Sequence, residues 1–122
     1  MLNWLNNNHS LFIHVYILLS YTFLTAKNEE LTSLNLSWNR ISGIGAAGIG
    51  YALTENTALE VLDISWNGLE TGGAHGIAHG LESNSTLKEL NISSNRINQT
   101  GLAKLLQGLM RNSSLEALKV NN

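Results

Sequence analysis

The sequence predicts an α/β solenoid, a curved stack of strand-and-helix units with a parallel sheet on its concave side and helices on its convex side. The first observation is a pattern, L-x-x-L-x-L/I-x-x-N-x-I/L, that returns every 28 residues. The second is a change of periodicity within each unit, from apolar and polar alternation to helical spacing. Each unit is therefore expected to contain a strand, a loop, a helix and a return segment.

The 28-residue pattern separates a non-repeat segment, residues 1–30, from repeats that occupy residues 31–122. The repeats are 31–58, 59–86, 87–114 and a partial unit, 115–122. A fixed period of about 20 to 29 residues on this skeleton is typical of a leucine-rich repeat solenoid. Because the array holds little more than the minimum that buries a continuous core, we expect its uncapped ends to expose apolar side chains and to self-associate.

The strand of each repeat is expected to have one buried and one exposed face. Leu34 and Leu36 point inward, while Ser33, Asn35 and Ser37 point outward, and later repeats follow the same alternation. One outward position in each repeat then forms a row across the concave sheet. This row is Asn35, Asp63, Asn91 and Lys119.

Asparagine recurs at two positions of the repeat. The first set lies where the strand turns away, and a buried amide there can bond backbone groups of the neighbouring repeat: Asn39, Asn67 and Asn95. The second set follows the last apolar residue of each helix, a position that favours a left-handed cap: Asn56, Asn84 and Asn112. Both sets are predicted to be structural.

The helices are expected to bury one face. In one helix this face is Ala74, Ile77, Ala78 and Leu81, and in the next it is Leu102, Leu105, Leu106 and Leu109. His75 and His79 then face solvent on the convex side. They have the spacing of a zinc pair, but no third ligand is evident, so no metal site is predicted.

Composition argues against several classes of function. A formal net charge of -2 and scattered basic residues make nucleic acid and anionic lipid poor partners. The absence of cysteine excludes disulfides and fits a cytoplasmic protein. The motif G-x-G-x-x-G over residues 43–48 is better explained by the repeat, since Gly45 recurs as Gly73 and Gly101. No catalytic residue, cofactor or enzymatic activity is predicted.

Residues 1–30 break the repeat and contain an apolar run, residues 11–24. The run is shorter than the roughly 20 residues that span a bilayer. Its length suits a signal peptide, although no basic residue precedes it. The alternatives are a helix that covers the end of the solenoid, an incorrectly assigned start, a signal sequence or a membrane anchor. Membrane association is expected only if the run acts as a signal or an anchor.

Trp38 and Trp66 occupy the same position in adjacent repeats, at the end of the strand. The third repeat has Ser94 there, so the fold does not require tryptophan. Either each ring packs against the next coil, or the two form an aromatic anchor at the rim of the concave sheet. The second interpretation makes the partner-binding residues Trp38, Trp66, Asn35, Asp63, Asn91, Arg40, Arg96 and Lys119.

The phrase L-x-x-L-x-L-S-W-N, followed by a Gly- and Ala-rich helix that ends in Asn, resembles ribonuclease-inhibitor-type leucine-rich repeats over residues 31–122. Residues 62–69 and 90–97 are most similar to small intracellular proteins made only of such repeats. NOD-like receptors and Ran GTPase-activating proteins have similar repeats, but this sequence shows no recognisable C-terminal cap, ATPase or effector domain.

The predicted function is a non-catalytic protein–protein interaction module, or scaffold, that binds a protein partner on its concave face. The alternative is a fragment of a secreted or membrane-associated leucine-rich repeat ectodomain, which requires the N-terminal run to act as a signal. Sequons for N-glycosylation would matter only in that second case. They lie at Asn8, Asn35, Asn84, Asn91, Asn98 and Asn112.

Overall fold

A computed structural model describes residues 28–121, in which strands and helices alternate without exception. The strands are β1 (Ser33–Asn35), β2 (Val61–Asp63), β3 (Glu89–Asn91) and β4 (Ala117–Lys119). The helices are α1 (Gly43–Glu55), α2 (Glu70–Ser83) and α3 (Gln99–Met110). The apolar run 11–24 lies outside the described residues. Within them, no helix combines the length and hydropathy that a membrane span needs.

The strands form one parallel sheet in chain order, β1-β2-β3-β4. The register keeps the 28-residue period, because Leu34 pairs with Leu62, Leu62 with Leu90, and Leu90 with Leu118. A helix follows each of the first three strands and connects it to the next parallel strand. The predicted leucine-rich repeat solenoid is confirmed.

The core lies between the sheet and the helices. Its strand side is built from the repeating leucines and isoleucines, such as Leu34, Leu62 and Ile64, each at most 1% exposed. Its helix side includes Ile49 and Ile77, which are equally buried. The face predicted for α2 is buried as expected, at Ala74, Ile77, Ala78 and Leu81.

Adjacent helices approach closely because small residues face each other. A Cβ added to Gly80 of α2 would lie 2.9 Å from the Cα of Gly50 in α1. A Cβ added to Gly108 of α3 would lie 2.6 Å from the carbonyl oxygen of Ala78. Helices with larger contact residues are about 8–10 Å apart, against about 4.8 Å for strands. These glycines therefore reduce the mismatch between the two layers of the solenoid.

The outward orientation predicted for the last serine of the strand segment is wrong in the first two repeats. Ser37 and the corresponding Ser65 are 9% and 5% exposed. The strands end two residues earlier than the alternation suggests, at Asn35 and Asp63. Each serine hydroxyl then donates to the side chain two residues before it, over 2.7 Å to Asn35 Oδ1 and 2.6 Å to Asp63 Oδ1.

The prediction of left-handed helix caps is also wrong. Asn56 and Asn84 have φ of -74° and -76° and an extended backbone. Their side chains instead connect repeats: Asn84 Oδ1 accepts from the N–H of Leu87, while its Nδ2 donates to the carbonyl of Leu53 over 2.9 Å. Asn28 begins this second asparagine ladder, since its carbonyl accepts from Asn56 Nδ2. The repeat register therefore extends to residue 28.

The apolar face predicted for α3 is only partly buried. Leu105 is fully buried, but Leu102 and Leu106 are 37% and 52% exposed. In the preceding helix α2 the corresponding positions are Ala74 and Ala78, and α3 covers both. The two leucines thus project from the side of α3 that faces away from α2. They provide the apolar surface on which the predicted self-association depends.

Candidate partner-binding surface

The register of the sheet brings the predicted concave row together. Asn35, Asp63, Asn91 and Lys119 are successive register partners. Asn91 Nδ2 donates to Asp63 Oδ2 over 3.4 Å, and Asp63 Oδ1 also accepts from the backbone N–H of Ser65. The first three side chains are half-buried and Lys119 is exposed. These bonds hold the polar groups of the row in place before any partner arrives.

A second row on the same face was predicted to point outward by the strand alternation, but it was not included among the predicted partner-binding residues. Val61, Glu89 and Ala117 are register partners two residues before Asp63, Asn91 and Lys119. The six residues line a shallow depression of about 90 Å³. The alternation that placed the first row outward also places the second outward, so the signal was present. Glu89, which is exposed, gives this depression a second carboxylate beside Asp63.

The two tryptophans form a stacked pair at the ends of β1 and β2. Their ring centroids are 4.4 Å apart and their planes differ by 7°. Trp38 thus packs against the next repeat, as the first interpretation requires. Both residues nevertheless remain more than half exposed, at 58% and 51%. The pair is therefore a surface feature and contributes little to the core.

An open pocket of about 470 Å³ adjoins this pair. We call it the tryptophan pocket, and its lining residues are Trp38, Trp66, Asn67, Ser94 and Arg96. The sequence analysis included both tryptophans and Arg96 but missed the other two. Comparison of the repeats could have suggested Ser94, because it is the small residue at the position that holds tryptophan twice.

The backbone at the strand ends has positive φ in side-chain-bearing residues. Trp38, Trp66 and Ser94 have φ of 62°, 54° and 55°. Arg40 and Arg96 lie two residues after Trp38 and Ser94. They also have positive φ, of 55° and 57°, and both are exposed. Neither arginine forms an ion pair with the residues that the structure describes. The tryptophans and arginines therefore present an aromatic and cationic rim next to the polar concave row.

The family model called Leucine Rich repeat matches three segments, residues 27–50, 55–78 and 83–106, which together make up more than half of the chain. The chain belongs to the leucine-rich repeat family. Comparison with curated proteins gives no match.

Solved structures with the same leucine-rich repeat fold include two proteins of related architecture. One is "Leiomodin-1 Actin-Binding Site 2", with a TM-score of 0.77 and 23% identity over 92% of this chain. The other is the tropomodulin C-terminal domain of Caenorhabditis elegans, with a TM-score of 0.73 and 20% identity over 84% of this chain. This chain spans 62% of each. At these identities the similarity establishes the fold.

The convex side of the leucine-rich repeats carries His75 and His79, both exposed as expected. Between residues 28 and 121, no group of three or more His, Cys, Asp or Glu side chains lies close enough to hold a metal ion. These histidines are suitable control positions for the rim, since they lie on the opposite face.

Proposed function

We propose that this leucine-rich repeat chain is a non-catalytic binding module that holds a protein partner against its concave sheet and the adjoining rim. The observation that carries the proposal is the exposed, stacked pair Trp38 and Trp66. Tryptophan and arginine anchors usually provide most of the energy of a protein interface. Here both residue types lie together at the ends of a sheet whose own hydrogen bonds keep it rigid.

The similar structures support the protein-binding part of this proposal. One of them is described as an actin-binding site of leiomodin-1. Actin is therefore the first purified protein to test, and a cell lysate supplies the rest of the candidates. The finer resemblance to ribonuclease-inhibitor-type repeats belongs to the same proposal and rests on the 28-residue period.

Replacing Trp66 by alanine should weaken partner binding by about 2 kcal/mol or more, because a rim anchor is removed. The experiment captures partners on immobilised wild-type and Trp66→Ala chains side by side, and identifies those lost from the variant by mass spectrometry. Each is then titrated in purified form, with actin included whatever the capture yields. The circular dichroism spectrum and the melting temperature of Trp66→Ala should remain nearly unchanged, since the side chain is half exposed.

The matched control variants are His75→Ala and His79→Ala on the convex helix, which should bind as the wild type does. The contrary outcome is a partner that loses affinity for a histidine variant and yet binds Trp66→Ala normally. That result would place the interface on the convex face and contradict the proposed concave-face interface. A large drop in the melting temperature of Trp66→Ala would instead make the tryptophan a structural residue.

We further propose a cytoplasmic location, for which two sequons provide support because their asparagine side chains are hydrogen-bonded within the second asparagine ladder. Asn84 is 4% exposed, and its Nδ2 donates to the carbonyls of Leu53 and Asn56. Asn112 Nδ2 donates in the same way to the carbonyls of Leu81 and Asn84. A glycan on either nitrogen would remove a donor from the ladder and would require space inside it. The folded array is therefore suited to a compartment without N-glycosylation.

The location is tested with a C-terminally tagged chain expressed in eukaryotic cells. We expect a single band whose mobility glycosidase treatment does not change, recovered from the cytosolic fraction. The alternative, a secreted or membrane-associated ectodomain fragment, predicts a different result. Its chain would be glycosylated, and signal-peptide cleavage would have removed roughly the first 26 residues. The same experiment would then move the search for partners to extracellular proteins.

A further inference from the structure

The stack of aromatic rings at the rim includes the first and second repeats and does not continue into the third, which has Ser94 at the equivalent position. Successive repeats place their equivalent residues next to each other in the sheet direction, and the rings of Trp38 and Trp66 lie 4.4 Å apart in this way. One face of Trp66 is therefore covered by Trp38. Its other face is directed towards the third repeat, where the same backbone position holds Ser94.

Ser94 is too small to cover the second face of Trp66, and the open tryptophan pocket, which Ser94, Arg96 and both tryptophans line, adjoins this position. The backbone there is the same as at the tryptophans, with φ of 55° at Ser94 and 54° at Trp66. The N–H of each residue also bonds a carbonyl of the following repeat: Trp66 to Ser93 over 2.9 Å, and Ser94 to Asn121 over 2.6 Å. The third site of the stack is thus formed by the backbone but lacks a ring.

The conformation of the tryptophans indicates that stability alone does not explain them. A positive φ is strained for a bulky side chain and costs free energy that the rest of the structure must offset. Ser94 shows that the same turn forms without an aromatic residue. Both rings remain more than half exposed, so they recover little of that cost by burial.

We propose that a flat aromatic side chain of a protein partner enters the tryptophan pocket and stacks on Trp66 above Ser94, with an acidic residue of the partner beside Arg96. This rests on the proposed function and specifies the partner's contact group. Aromatic rings prefer offset-stacked partners at this separation. Arg96 lines the pocket and disfavours a cationic occupant, while its guanidinium suits a carboxylate. The carboxylates of Asp63 and Glu89 on the neighbouring sheet and a net charge of -2 oppose nucleic acid.

The probes are three short blocked peptides in which the central residue, between two glutamates, is phenylalanine, leucine or lysine. Binding is followed by the indole N–H signals of Trp38 and Trp66 in nuclear magnetic resonance spectra, assigned with single Trp→Phe variants. We expect the phenylalanine peptide to shift the Trp66 signal saturably and to bind about tenfold more tightly than the leucine peptide. Stronger binding of the lysine peptide, or of oligothymidylate used as a fourth probe, would overturn the aromatic assignment.

Ser94→Trp tests the pocket directly, because this backbone position accepts tryptophan in two other repeats. The new ring should complete the stack and weaken binding of the phenylalanine peptide by about tenfold or more, whereas the matched Ser94→Ala chain should bind as the wild type does. Arg96→Gln keeps the pocket open and should remove the preference for the glutamate-flanked peptide over a glycine-flanked one. Equal binding of the phenylalanine peptide to Ser94→Trp and to the wild type would exclude the pocket.

The same Ser94→Trp chain distinguishes this proposal from the proposed function. A captured protein partner that is lost from Trp66→Ala but retained fully by Ser94→Trp would leave the rim as the interface and exclude an aromatic occupant. A partner that neither variant affects would contradict the proposed interface itself. Loss from both variants, with Ser94→Ala unchanged, is the result expected if both proposals hold.

Discussion

Replacing Gly80 by alanine should destabilise the repeat array by about 3 kcal/mol or more, at the upper end of the usual overpacking penalty. The added methyl group would overlap the carbonyl oxygen of Gly50 and lie 2.9 Å from its carbonyl carbon. These atoms belong to the backbone of α1 and cannot move aside as a flexible side chain would. Helices α1 and α2 would have to separate, which would also disturb the hydrophobic core between them and the sheet.

Gly72→Ala is the matched control, since it makes the same chemical change in the same helix. No atom lies within 4 Å of a Cβ added there. Alanine is favoured over glycine in a helix by about 1 kcal/mol, so this variant should be slightly more stable than the wild type. Urea denaturation followed by circular dichroism measures both. Similar stabilities for the two variants would mean that α1 and α2 are not in close contact at Gly80.

The sequence predicts the repeat fold well because its two periods are simple consequences of backbone geometry. Leu34, Leu62 and Leu90 recur at 28 residues, and parallel strands in register place them in one buried row. The same spacing predicts the concave row at Asp63 and its neighbours. Side chains whose positions follow from the strand register could therefore be assigned before the structure was known.

The errors arise where the backbone departs from regular geometry. Ser37 was expected outside because the strand was extended beyond Asn35, but the backbone turns there and the hydroxyl bonds Asn35. Asn56 was assigned a left-handed cap from a statistical preference of asparagine. Its backbone is instead extended, and its side-chain Oδ1 accepts a hydrogen bond from the N–H of Leu59. In both cases a side-chain hydrogen bond to nearby groups decided the conformation, and periodicity carries no information about such bonds.

The candidate site was predicted only in part for a similar reason. The repeat spacing places Trp38 beside Trp66, yet it does not determine whether the rings face the core or the solvent. That outcome depends on the direction of each side chain at a positive φ. Ser94 and Asn67 were missed because a pocket is defined by what surrounds it, including a small residue that leaves space.

Replacing Asn67 by leucine should lower the free energy of unfolding by roughly 3 kcal/mol, since each buried polar group left without a partner costs about 1–3 kcal/mol. Its Oδ1 accepts from the N–H groups of Asn39 and Ile41, both over 2.9 Å. Its Nδ2 donates to the carbonyls of Leu36 and Ile64, over 3.1 and 2.8 Å. Leucine has a similar size but can form none of these bonds.

The effect should be specific to the ladder and should extend across the repeat boundary. Gln107→Leu removes an amide from the exposed surface of α3, so it should leave the melting temperature nearly unchanged. In the Asn67→Leu chain, amide hydrogen exchange should accelerate at Asn39 and Ile41, which belong to the preceding repeat and rely on Asn67 as acceptor. Unchanged protection at these two amides would show that other groups satisfy them. The asparagine ladder would then not be what couples one repeat to the next.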